Sequence, residues 1–316
     1  MKAMQIHEYG DPEVLRVVEI APPVPGPGQV LVRVRAAGVN PFDAKIRSGW
    51  LQAFFPLSLP QTMGGDFAGT VAALGEGAKG FDEGDRVYGM LSPMHGGTYA
   101  EYLVLDANLM RHAPRTLSFE EAAGLPMAAT TAYIAVAELA NVQSGQRVLV
   151  HGGAGGVGAA AIQIAKQRGA HVAATCSSGK VELVRSLGAD QVIDYTQTDF
   201  RVDLQERVDV VIDPIGGETN RRSFEVLRNG GVMAVVLRND AQEMANRAAL
   251  SQQHGVTVKE VAFDLRPDLL DTLRELADTG ALRPNVQTVL QLDDAAEAHR
   301  RLLAGGATGK TVLRMD

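Results

Sequence analysis

Gly153, Gly155 and Gly158 stand between an apolar run, Val148–Val150, and a segment in which Val157, Ala161, Ile164 and Ala165 recur at helical spacing. A second apolar run, Val172–Ala174, follows. Strand, Gly-rich turn, helix and strand in this order have the dimensions of one βαβ crossover. The chemistry such a turn serves is close approach. A pyrophosphate can lie on backbone N–H groups at a helix N-terminus, where the free amides and the dipole favour negative charge. Side chains at the glycine positions would hold the phosphate away or part the helix from its strand. The spacing therefore predicts a dinucleotide site.

The end of the second strand then selects the dinucleotide. A carboxylate there accepts hydrogen bonds from a ribose 2′-OH and marks NADH binding. The stretch reads Thr175-Cys176-Ser177-Ser178-Gly179-Lys180, without one. Hydroxyls and an ammonium suit a 2′-phosphate, which predicts NADPH. Ser177 or Ser178 also reads as the N-cap of a helix running through Leu187, and one serine can do both.

The elements that must hold these residues fall into three textures. Up to about residue 120, short alternating runs (Val30–Arg35, Thr70–Ala73, Arg86–Met90, Thr98–Val104) lie between Gly and Pro turns, which predicts an antiparallel, barrel-like β region. From 121 to 262, apolar strands at 147–151, 171–175, 191–194, 208–213, 231–237 and 256–261 are separated by helical stretches. That pattern predicts a parallel sheet covered on both faces. The tail, 263–316, holds helical stretches at Asp268–Thr279 and Asp293–Leu303 and strands near Val286–Leu290 and Thr311–Leu313. Two strands do not make an independent domain, so the tail is expected to return to the first region. The expected division is a discontinuous domain of 1–120 with 263–316, and a cofactor domain of 121–262.

Composition bounds the rest. The chain of 316 residues carries a net charge of −7 and no Lys/Arg cluster, which argues against nucleic-acid binding. Its one cysteine, Cys176, excludes an internal disulfide. No apolar run approaches the ~20 residues of a membrane span, and no signal peptide is read at Met1–Glu8. A cytoplasmic protein is the expectation. None of the seven histidines shows metal-like spacing.

Seven motifs in order carry a family resemblance. They are Gly38–Lys45 (GVNPFDAK), Gly64–Gly69 (GGDFAG), Gly84–Gly89 (GDRVYG), Gly97–Tyr102 (GTYAEY), the Gly153–Gly158 turn, Leu187–Asp190 (LGAD) and Gly309–Leu313 (GKTVL). With them the chain resembles the medium-chain dehydrogenase/reductase superfamily, in its zinc-independent quinone oxidoreductase and enone reductase branch. The resemblance implies an α/β fold: a GroES-like β-rich catalytic domain and a Rossmann doubly wound parallel sheet. Zinc relatives place a Cys where this chain has Asn40, a His where it has Gly65 and a second Cys near Thr130-Thr131, so no metal site is expected.

Without a Lewis acid the expected chemistry is hydride transfer from NADPH to a small hydrophobic electrophile, a quinone or the C=C of an enone or enal. By resemblance, Asn40 lies beside the nicotinamide, and Lys45 polarises the acceptor oxygen. Asn40 also reads as an Asx-turn before Pro41, Lys45 as a solvated lysine on a surface turn, and Arg47 as a partner for Asp43. The resemblance further sets Thr131 under the nicotinamide and gives Gly156 and Val157 N–H groups to the pyrophosphate. It sets Ser177, Lys180 and Tyr195 around the 2′-phosphate, and brings Lys310 toward the cofactor, although a strand-end lysine also reads as solvated. Trp50, Phe54 and Phe55 are expected to line the acceptor pocket. The rival functions are a zinc-type alcohol dehydrogenase and a non-enzymatic NADPH-binding protein of the crystallin kind. A homodimer is expected through the strands at 231–237 and 256–261.

Overall fold

In the computed structural model, residues 1–53, 56–92, 94–236, 241–262, 265–306 and 308–315 are described. Two compact units divide the chain, Met1–Met127 with Leu265–Asp316 and Ala128–Asp264. In the first, eight strands precede the crossover region: β1 (Lys2–Ile6), β2 (Arg16–Glu19), β3 (Gln29–Val39), β4 (Gln61–Thr62), β5 (Asp66–Leu74), β6 (Arg86–Met90), β7 (Tyr102–Asp106) and β8 (Met110–His112). The second holds β9 (Arg147–Val150), β10 (His171–Cys176), β11 (Gln191–Asp194), β12 (Val208–Asp213), β13 (Leu227–Val235) and β14 (Thr257–Glu260).

The tail adds β15 (Val286–Gln291) and β16 (Lys310–Arg314) to the first unit. β16 pairs antiparallel with β3, giving the order β15-β16-β3-β5-β6-β8 with β7 also on β3. Two strands alone could not bury an apolar face, and here Leu313 joins the core made by Val30, Val32, Val34, Phe67 and Val87. The alternation in β3 sends Val30, Val32 and Val34 inward, as a sheet with one covered face requires. The strand expected from Thr98 begins only at Tyr102. Tyr99 is taken instead by β1, its carbonyl accepting from the Met4 amide, and its ring lies where a Cβ on Gly64 would be, 2.2 Å from it.

The second unit is the parallel sheet that the apolar runs predict, in the order β11-β10-β9-β12-β13-β14. The order reverses at β9, and in such sheets ligands bind beyond the carboxyl ends of the strands at that reversal. Leu149, Val211, Phe224 and Met233 make its core.

Candidate active site

The glycine turn lies between the end of β9 and the helix Gly156–Gln167. Gly152 takes a φ of +60°, a left-handed conformation that costs glycine nothing. A Cβ on Gly158 would stand 2.2 Å from the Gly152 carbonyl oxygen, and one on Gly153 within 3.2 Å of Ile162, Ala174 and Val184. Those two glycines are dictated by packing. Gly155 differs: its backbone is extended, with φ −81° and ψ 172°, and a Cβ would meet nothing closer than 3.3 Å. Its conformation does not ask for glycine, and the Gly152 carbonyl oxygen is the protein atom a side chain would crowd. The open side of Gly155 adjoins the first turn of the helix, whose N–H groups at Gly156 and Val157 have no intrahelical acceptor. A dinucleotide pyrophosphate fits that space and those donors.

At the end of β10 the structure alters the expectation in two places. Thr175 does not face a 2′-phosphate. It is buried, and its hydroxyl lies 3.2 Å from the Gly152 nitrogen and 3.2 Å from His151 Nδ1. Nor is the neighbourhood free of carboxylates. Parallel pairing sets Asp194 beside Cys176; hydrogen bonds from Ser178 and Thr196 hold its carboxyl below the usual range. The Ser178 and Thr196 hydroxyls are 2.8 Å apart. Sequence reading missed Asp194 because it sits on the next strand, not the one ending at Ser177. Ser177 precedes the short turn Ser178–Lys180, and its side chain caps nothing. The capping role is therefore not its reason. Ser177 and Lys180 are partly exposed, and Tyr195 is 55% exposed.

In the first unit, Asn40 follows β3 and is the N-cap of the helix Pro41–Arg47. Its backbone N–H donates to Asp43 Oδ2 at 2.8 Å. Nδ2 donates to Asp66 Oδ2 at 3.0 Å, and Oδ1 accepts from Lys310 Nζ. Lys310 is not a solvated strand-end residue. It is 6% exposed, donates to the Val39 carbonyl at 3.0 Å and lies 3.9 Å from Asp66. Burial raises the Asp66 carboxyl to about 6 and, with the Asp66 charge nearby, the Asp43 carboxyl to about 7. Burial lowers Lys310. Tyr99 donates to Asp43 at 3.1 Å and stands 3.5 Å from His299 Nε2.

Arg47 does not pair with Asp43; it is buried and donates to the Gly10 carbonyl at 2.6 Å. Lys45 is partly buried, its ammonium 4.7 Å from the centre of the Trp50 ring, and desolvation lowers its pKa. Trp50 is 63% exposed; Phe54 and Phe55 lie outside the described residues. Thr130 is buried and Thr131 half-buried, on the helix Pro126–Tyr133.

Among the described residues no group of three or more His, Cys, Asp and Glu is placed to hold a metal ion, and no helix is long and apolar enough to cross a membrane. Two buried histidines, His151 and His299, escaped the sequence reading. Spacing carries no sign of them; for His151 the signal was a polar residue directly after the apolar run Val148–Val150.

A family model described as an alcohol dehydrogenase GroES-like domain matches residues 26–115, and one described as a zinc-binding dehydrogenase matches residues 187–313. The chain is 35% identical to a mitochondrial NAD(P)H oxidoreductase of Danio rerio, over 99% of this chain and 91% of that protein. It is 37% identical to the 2-methylene-furan-3-one reductase of Solanum lycopersicum, over 99% and 79%. The crystal structure of Escherichia coli quinone oxidoreductase complexed with NADPH superposes with a TM-score of 0.87, at 29% identity, over 100% of both chains.

Proposed function

Because the chain belongs to the medium-chain dehydrogenase/reductase superfamily, in its quinone oxidoreductase branch, we propose that it reduces a small hydrophobic quinone, enone or enal with NADPH and without a metal. It is an NAD(P)H-dependent oxidoreductase. The observation that carries the narrower reading is the donor set around the helix Pro41–Arg47, an amide at Asn40 and a desolvated ammonium at Lys45. Asn40 and Gly65 stand where zinc relatives carry ligands. A thiolate and an imidazole there would serve zinc; an amide and an ammonium stabilise an oxyanion directly.

When bound, the reduced nicotinamide supplies the hydride. The Gly156 and Val157 N–H groups would hold the pyrophosphate, on a turn shaped by Gly153, Gly155 and Gly158, and Ser177, Ser178, Lys180 and Tyr195 the 2′ end. Lys45 would donate to the acceptor oxygen as negative charge gathers there, and its lowered pKa makes it the readier proton donor. With its oxygen taken by Lys310 and one N–H by Asp66, Asn40 keeps a single N–H to give. It acts as a donor only. At the 2′ end, Lys180 favours a phosphate and the Asp194 carboxylate opposes one. The hydrogen bonds from Ser178 and Thr196 already satisfy part of that carboxylate's charge.

NADPH oxidation across a panel of quinones, enals and enones, with product analysis and elemental analysis for zinc, tests the reading. Saturable turnover retained in chelator is expected. Alcohol oxidation lost with removable, near-equimolar zinc would support the zinc-type reading, and binding without turnover on any acceptor the crystallin-like one. Assembly follows the same proposal: β14 is the edge of its sheet, and pairing across a twofold axis would cover it. Leu237, in the strand expected to share that contact, lies outside the described residues. Light scattering at micromolar concentration should give a dimer mass.

A further inference from the structure

His151 directly follows β9 and is 1% exposed, in contact with the Phe200 ring at a centroid distance of 4.9 Å. Its two nitrogens meet two hydroxyls, and the roles of all four groups follow from one bond. The Ser223 hydroxyl donates to the Thr219 carbonyl at 2.7 Å. Its proton is used, so at 2.8 Å from His151 Nε2 it can only accept. Nε2 therefore carries the imidazole proton, and Nδ1 is the acceptor. The group 3.2 Å from Nδ1 is the Thr175 hydroxyl, which must donate to it. The Thr175 oxygen then has its lone pairs free for the Gly152 N–H, 3.2 Å away. Donation runs one way, from Gly152 through Thr175, His151 and Ser223 to the Thr219 carbonyl.

The near end of this relay is the glycine turn. The Gly153 N–H donates to the Thr175 carbonyl at 2.8 Å, so two successive turn amides rest on Thr175. The Gly152 carbonyl accepts from Gly155 at 2.9 Å and lies hard against Gly158. Rotation of the Gly152 peptide would therefore move the first turn of the helix Gly156–Gln167. We propose that Thr175 and His151 are positioning residues for the cofactor's pyrophosphate, acting by holding the Gly152 amide and through it the phosphate-facing N–H groups. This rests on the dinucleotide reading above. It assigns Thr175 to the part of the cofactor that NADH and NADPH share, not to the 2′-phosphate.

Fluorescence titration of full-length Thr175→Val with NADPH and NADH separates these roles. Valine keeps the shape and removes the hydroxyl. Both dissociation constants should rise by the same factor, about tenfold for one lost hydrogen bond, with their ratio unchanged. KM for cofactor should rise while kcat at saturation holds. Thr175→Ser restores the hydroxyl, and His151→Asn keeps an acceptor near the Nδ1 position; both should bind within about threefold of wild type, less than the loss of a whole hydrogen bond. Should Thr175→Val fail to fold, Ser223→Ala, which frees the imidazole tautomer, should weaken both cofactors equally. Nitrogen NMR should show a neutral His151 protonated at Nε2. A change confined to NADPH, no change in either constant, or an Nδ1–H tautomer overturns the proposal. Wild type binding neither dinucleotide overturns the dinucleotide reading and the relay with it; wild type binding both while Thr175→Val equals it overturns the relay alone.

Discussion

Each unit buries a polar network, and the two are built on opposite principles. Around Asn40 the network is ionic: Lys310 faces Asp66, with Asp43 beyond. Around Gly152 it is neutral, an imidazole between two hydroxyls. Desolvation works on both. It raises both carboxyls of the first network and lowers the imidazole of the second to about 4. A buried charge needs its counter-charge, so the ionic network resists loss of any single member. A neutral relay can lose a link at the cost of one unsatisfied group. The difference matters for what each must do. In the proposed function Asn40 presents one N–H to a ligand, and a cation on its oxygen permits only that amide orientation. The turn has to keep a backbone shape, for which a directed chain of ordinary hydrogen bonds suffices.

The largest expected effect breaks the ionic side. Lys310→Met should destabilise the protein by about 3–5 kcal/mol in urea unfolding, because it strands Asp66 as an unpaired buried carboxylate. Thr175→Val should cost only about 1–3 kcal/mol. Equal losses would erase the distinction between the networks. Adding Asp66→Asn to Lys310→Met should recover part of the loss, a coupling that a double-mutant cycle reads directly.

Next in size is the chemistry. Lys45→Ala should lower kcat by about 10²-fold, as removing one oxyanion donor does elsewhere, and leave KM for NADPH nearly unchanged. An unaltered kcat would return Lys45 to a lysine resting on Trp50.

Cofactor choice follows. Lys180→Ala should weaken NADPH about tenfold, by loss of one charge-assisted bond at a partly exposed site, and leave NADH alone. Asp194→Asn should shift preference further toward NADPH by removing the nearby carboxylate. Wild type binding both cofactors equally, with no response to either change, would take the 2′-phosphate away from Ser177 and Ser178.

The smallest effect is on pH, where the networks pull in opposite directions. The Asp43 carboxyl stands at about 7 folded against a usual 3.8. Its contribution to stability is present below pH 3.8 and is lost as pH rises through 7. His151 stands at about 4 folded against 6.5. Its contribution is present above pH 6.5 and is lost as pH falls through 4. Between pH 4 and 6.5 the two slopes offset each other in the wild type. Thermal melts of Asp43→Asn should show stability rising with pH over that window relative to wild type, and melts of His151→Asn should show it falling. Parallel profiles would mean the groups titrate normally.

The amino-acid sequence alone determined what depends on neighbours in the chain. Period-two runs make β3 and its partners; near-continuous apolar runs between helical stretches make the parallel sheet. The glycine spacing builds the turn because backbone conformation and close approach are settled over six residues. Asn40 was legible locally only as the residue that opens a helix beside Pro41 and Asp43; its place in a site was an expectation from the family resemblance. What only the tertiary structure decided are the partners. Lys310 reaches Asn40 across 270 positions, and His151 reaches Ser223 across 72. Thr175 looked like a phosphate ligand from its place at a strand end, but its hydroxyl is buried against His151 and the Gly152 nitrogen. Asp194 came to lie beside Cys176 through the parallel pairing of β10 with β11. Hydrogen bonds and burial are set by distance in space, and a chain folded through two sheets brings together side chains that no local spacing relates.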